Sequence, residues 1–173
     1  MRNSPPSFKN DGFGQQILVA VSKTFNEYRL AVELRHRSWS DDETTARFLK
    51  ENSIAWVQID EPKFQSSIAA EVPITADLAY LRFHGRNAEM WWKGDSETRY
   101  KYLYSKDEID ELATKVQNAA GETSLLFAQF NNHWRGYAPR NAVDMEKALK
   151  LPFAELPITA SFKEDEANKR QSD

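Results

Sequence analysis

LLFAQFNNHWRGY, residues 125–137, begins as an apolar strand and ends in Asn131, Asn132, His133 and Arg135. Three other stretches repeat that pattern: LAVELRHRSW from Leu30, AWVQIDEP from Ala55 and AYLRFHGRN from Ala79. Each turns polar at its C-terminal end, and the protein's three histidines, His36, His84 and His133, all stand there. Helical segments separate the strands. Ile17, Leu18, Val21 and Phe25 recur at helical spacing within Gly14 to Tyr28. Asp41 and Asp42 open a second helix reaching Asn52, and the capping box Ser105-Lys106-Asp107-Glu108 opens a third through Ala120, ended by Gly121. Asn141 is expected to cap a last helix, Ala142 to Lys150. Strands alternating with helices predict an α/β fold with a parallel sheet.

The strands depart from the doubly apolar run that a sheet covered on both faces requires. One alternating set is apolar throughout: Val32 and Leu34, Val57 and Ile59, Leu81 and Phe83, Ala128 and Phe130. The other comprises Glu33 and Arg35; Trp56, Gln58 and Asp60; Tyr80, Arg82 and His84; Phe127, Gln129 and Asn131, and grows more polar toward each C-terminal end. A second helical layer over that set would bury ions at several kcal/mol each. A barrel interior fits better, with the strand ends converging where such barrels do chemistry. The expected architecture is a TIM-type (β/α) barrel, here a partial barrel of about four strands with helices outside, over residues 1–162, followed by a disordered tail, 163–173.

At 173 residues and net charge −3, with basic and acidic residues interspersed, the chain suits one domain and carries no field for a polyanion. Nucleic acid and membrane are therefore disfavoured as partners. The absence of cysteine excludes disulfides and thiolate chemistry. The start, MRNSPPSFKND, lacks an apolar signal region, so a soluble, cytoplasmic protein is expected.

PPSF at Pro5–Phe8, VELRHRSW at Val32–Trp39, YLRFHGRN at Tyr80–Asn87, RYKYLYS at Arg99–Ser105 and FNNHWRGYAPRNA at Phe130–Ala142 together resemble the YecE-like family, the domain of unknown function numbered seventy-two. The resemblance implies a TIM-type barrel and covers what looks like the family domain's C-terminal half. A closed barrel needs eight strands. A separate N-terminal half or a homo-oligomer is therefore an expected partner. The family supplies a fold and motif positions, without a reaction.

The strand ends propose a small-molecule site. Glu33, Asp60, His84 and His133 are the candidate proton-transfer groups. Arg35, His36, Arg82, Arg86, Asn87, Tyr102, Asn131 and Asn132 are the candidate binding groups, the arginines for a carboxylate or phosphate. The competing readings are a self-satisfied polar plug and a truncated structural or partner-dependent fragment without activity of its own. Three histidines with Asp60 or Glu33 have the chemistry to ligate a metal, but no HxH or HExxH spacing calls for one, and neither metal nor other cofactor is expected. No GxSxG or glycine-rich phosphate loop is present. Trp91, Trp92, Tyr100, Tyr102 and Tyr104, interleaved with Arg86, Lys93, Arg99 and Lys101, raise a weaker alternative of a single-stranded nucleic-acid module. Packing of this loop over the barrel mouth is the favoured reading.

Overall fold

A computed structural model describes residues 8–93 and 96–152. The expected tail and the first residues of the PPSF motif lie outside the described residues. Asp11 caps α1 (Gly12–Thr24), its carboxylate accepting from the Gly14 N–H at 2.9 Å. The chain then forms β1 (Leu30–Val32) and α2 (Glu43–Glu51), which Asp42 caps through the Thr44 N–H. It returns as β2 (Ile54–Trp56), parallel to β1. After Val57 it continues as β3 (Gln58–Asp60), parallel to β4 (Leu78–Phe83), which pairs with β5 (Leu125–Phe130). Two small parallel sheets result, and the described residues do not close a barrel.

The expected second strand is thus two, with a change of partner at Val57. The first is shorter than expected because the chain after Val32 pairs elsewhere. Ile68 N–H donates to Arg35 O at 2.8 Å and Arg37 N–H to Ser66 O at 2.9 Å. The segment around Ser67 thereby replaces a strand, making an antiparallel bridge to His36.

Register also corrects the faces of strand two. Ile59 lies beside Arg82 and Asp60 beside Phe83. Side chains alternate along a strand, and register partners in a parallel pair share a face. Val57 and Ile59 therefore join Tyr80 and Arg82, while Gln58 and Asp60 join Leu81 and Phe83. The other strands alternate as expected.

Two apolar cores hold the sheets. Leu34, Trp39, Leu49, Ile54 and Trp56 pack between α1, α2 and the first sheet. Leu81 and Phe83 pack against Ile109, Leu112 and Val116 of α4 (Lys106–Glu122). Each such side chain contributes roughly 1.5–3 kcal/mol of burial. Ser105 and Glu108 form the expected capping box. The helix nevertheless runs through Gly121, where backbone conformation imposes no stop.

A single turn, α3 (Ser96–Arg99), lies in the long loop after β4. The last helix, α5 (Tyr137–Ala148), starts earlier than expected because Gly136, at φ 79°, turns the chain into it directly. Asn141 is consequently inside the helix and fully buried, not at its cap. Among the described residues no helix is long and apolar enough to cross a membrane.

Candidate functional site

The C-terminal ends of β1, β4 and β5 bring Glu33, Arg35, Arg82, His84 and Asn131 together. Arg35 Nε donates to Glu33 Oε1 and Arg82 Nη1 to Glu33 Oε2, each at 2.5 Å. The carboxylate is thus held from both oxygens by the guanidiniums of Arg35, just past β1, and of Arg82 on β4. Burial opposes the charged form of Glu33, but the neighbouring His84 and the Arg35 guanidinium outweigh it and bring the pKa down to about 2. His84 Nε2 stands 3.7 Å from Glu33, beyond hydrogen-bond length, so the arginines carry most of that effect.

His84 is fully buried. Arg35 Nη2 donates to its Nε2 at 2.9 Å, which makes Nε2 the acceptor and leaves the proton of the neutral ring on Nδ1. Nδ1 faces the Asn131 side-chain amide at 3.2 Å, and a proton there calls for the amide oxygen on that side. Burial, followed by the charge of Arg35, pushes the His84 pKa below that of a free histidine despite the raising effect of Glu33. The ring is therefore neutral at pH 7.

Glu33, Arg35 and His36 line an open cleft of about 890 Å³. Its other walls include Glu61, Phe64, Trp91 and Arg99. His36 does two jobs there. Its Nδ1 accepts from Ser38 N–H at 3.1 Å, capping the short turn Arg37–Trp39, while the residue remains on the cleft wall.

The other candidates are placed elsewhere. Asp60, turned toward α4 by the register of β3, receives Arg86 Nε at 3.0 and 3.1 Å and Arg86 Nη2 at 2.8 Å. Tyr104 Oη donates to its second oxygen at 2.7 Å. Arg86 also reaches Glu108 and Glu111, and Tyr102 donates to Glu108 at 2.5 Å. Hydrogen bonding to Asp60 raises the Arg86 pKa, and burial, then the Asp60 charge, raises that of Tyr104. This network ties the loop after β4 to α4. Asn87 holds the same loop through the carbonyls of Thr98 and Lys101 at 3.1 and 3.2 Å.

Asn132 is fully buried and donates to Tyr102 O and to Asn141 Oδ1, each at 2.8 Å. His133 Nδ1 approaches Asn131 O at 3.2 Å, and its exposed ring packs near Tyr100 at 5.2 Å. The loop aromatics mostly fold inward: Trp91 and Tyr104 are buried, while Trp92 is exposed. Among the described residues no cluster of three or more His, Asp or Glu side chains suited to a metal is present.

The strand-end pattern does not select Glu61, Arg99 or Asn141 as site residues. Glu61 precedes Pro62 and reads as the start of a loop, yet it is only 6 % exposed. The strand-end rule that selected Asp60 would have selected Glu61 had the face of β3 been known.

The chain matches the family described as "Protein of unknown function DUF72" over residues 3–167. It is 30 % identical over 136 residues to the UPF0759 protein YunF of Bacillus subtilis (strain 168), covering 73 % of this chain and 48 % of that protein. A DUF72 family protein from Thermotoga maritima MSB8 superposes with a TM-score of 0.79 at 38 % identity, over 84 % of this chain and 55 % of that one. A DUF72 family protein from Enterococcus faecalis V583 gives 0.79 at 30 % identity, over 90 % and 59 %. The chain thus spans about half the length of these relatives. With its motifs matched along nearly its whole length, it belongs to the DUF72 family of proteins of unknown function.

Proposed function

We propose that the strands form an arc of a (β/α) barrel whose C-terminal mouth binds a small anionic or polar molecule, with proton transfer by groups around Glu33. The observation that carries this reading is the Glu33, Arg35, Arg82 and His84 cluster, whose Glu33 and Arg35 line an open cleft of about 890 Å³ while Arg82 and His84 stand behind them. Arg35 serves as the principal anion contact, since its side chain is 40 % exposed although it pairs with Glu33. Arg86 is committed to Asp60 and α4, and takes a supporting role. His84 is the neutral acid–base group beside Glu33, with its tautomer set by Arg35 and Asn131.

Calorimetric titration of the purified chain with a panel of small carboxylates and phosphates tests this. Binding that Arg35→Ala weakens by about tenfold or more, without loss of the cooperative melt, supports it. Equal binding by wild type and variant would leave the cluster as a plug fixing strand register.

A second feature supports a completing partner. β5 exposes Leu125 at 37 % and Phe127 at 51 %, on a strand with one paired neighbour among the described residues. Since the relatives are about twice as long, the occupant we propose for this face is the remaining half of such a barrel. Sedimentation velocity and dye binding on the chain alone test it: self-association or strong dye uptake is expected, and a compact monomer indifferent to the dye overturns it.

A further inference from the structure

Two polar atoms on the cleft walls lack a hydrogen-bond partner among the described residues. Glu61 Oε2 is buried and accepts no hydrogen bond, and its ion pair with Arg35 Nη1, at 3.5 Å, lies at the outer edge of contact. Glu61 is 6 % exposed, so the carboxyl is set deep in the cleft wall. Arg99 Nε, also buried, finds no acceptor among the described residues. Both residues line the same cleft, and unpaired buried polar atoms are uncommon enough to require a reason.

We infer that the cleft takes a small polyhydroxylated anion, with a ligand hydroxyl donating to Glu61 Oε2, Arg99 Nε donating to a ligand oxygen and Arg35 facing the anionic group. This rests on the reading of the cleft as a ligand site and names the class of molecule it takes. Charge favours an anion: Arg35, Arg37 and Arg99 stand against Glu33 and Glu61 on the lining. An acceptor among arginines selects an anion that also carries O–H donors, unlike a simple carboxylate or inorganic phosphate.

The aromatic walls select against a flat base. Arg99 lies over the Trp91 ring at 6.0 Å, with Tyr100 edge-on to it at 6.0 Å, and Trp92 leans on Phe64 at 5.4 Å. The rings form sides, with no parallel slot between them. An ammonium group at Glu61 is also disfavoured, because the Arg35 guanidinium already stands 3.5 Å from its Oε2.

The test is titration of the full chain with gluconate, glucose 6-phosphate, glucose, glycine, acetate and inorganic phosphate, read by calorimetry and by tryptophan fluorescence. Gluconate or glucose 6-phosphate is expected to bind at least about tenfold more tightly than acetate, phosphate or glucose, and the better of the two identifies a carboxylate or a phosphate as the anion. Glu61→Met is expected to erase most of that tenfold preference, read as the ratio of gluconate or glucose 6-phosphate affinity to acetate or phosphate affinity within the same variant. The comparison among probes on the wild type stands even if this variant fails to fold. If the polyhydroxylated anions bind no better than acetate and phosphate, or if glycine binds best, the inference is overturned while an Arg35-dependent cleft survives. If no probe binds, both are overturned.

Discussion

Asn141 binds the backbone of Tyr104 from inside a helix: its Oδ1 accepts the Tyr104 N–H at 3.1 Å and its Nδ2 donates to the Tyr104 carbonyl at 3.2 Å. One amide side chain thereby does what a neighbouring strand would do, docking the end of the long loop onto α5. The same Oδ1 accepts from Asn132. Replacing Asn141 by Ala strands at least one buried donor and one buried acceptor, at roughly 1–3 kcal/mol each. Urea unfolding should show a loss of about 2–4 kcal/mol, with Asn141→Asp nearly as costly because it removes the donor.

Acid should weaken the fold through Glu33. Its folded pKa of about 2 lies below the ordinary value of 4.5, so ionisation stabilises the fold above pH 4.5 and that contribution is lost as pH falls toward 2. The shift corresponds to about 3 kcal/mol at its upper limit. Urea midpoints measured between pH 7 and 2 should fall steeply below pH 4.5 in the wild type. Glu33→Gln should start lower and follow a flatter profile across that window.

His84 has the same sign of shift but acts on a different window. Because burial depresses its folded pKa, the unfolded chain takes up a proton near pH 6.5 while the folded chain does not, so stability declines as pH drops from 6.5 toward the folded value. The ring resonances of His84 in a proton–nitrogen spectrum should titrate below pH 6.5 and show the Nδ1–H tautomer. His84→Gln should remove this part of the acid sensitivity.

Gly85 admits no side chain. It sits at φ 88°, and an added Cβ would come within 2.6 Å of the Tyr102 Cβ. Gly85→Ala should cost roughly 2–4 kcal/mol and displace the Tyr102–Tyr104 segment. Near-ultraviolet circular dichroism and thermal melting would register both changes.

The Asp60 network should be separable from ligand binding. Tyr104→Phe removes the hydroxyl that donates to Asp60 at 2.7 Å and accepts from Gly85 N–H at 2.8 Å. It should lower stability by about 1–3 kcal/mol and leave affinity at the Arg35 cleft within about twofold.

The repeated strand ends made much of the α/β order readable: β1, β4 and β5 fall where apolar alternation breaks into polar residues. Glu33, Arg35, Arg82, His84 and Asn131 were found by that rule because their strands alternate without interruption. Strand two defeated it. In AWVQID both alternating sets carry apolar side chains, so the pattern cannot choose a face, and a nonlocal event, the change of partner at Val57, decides it. Asn141 was misplaced for a related reason. A buried asparagine inside a helix and an asparagine at a cap look alike until the loop that needs its amide is in place. The end of α4 eluded reading because Gly121 has no Cβ-dependent role there.

The bridge between His36 and Ser67 gives the cleft a common frame. Arg35 and Arg37 on one side, and Ser66 and Ile68 on the other, exchange backbone hydrogen bonds between positions 33 and 29 apart in the chain. The walls carrying Arg35 and the 64–67 segment are therefore tied into one piece, like a stitched seam. Hydrogen exchange at the Arg37 and Ile68 amides would follow a single opening rate, and any ligand that orders one wall would slow exchange at both.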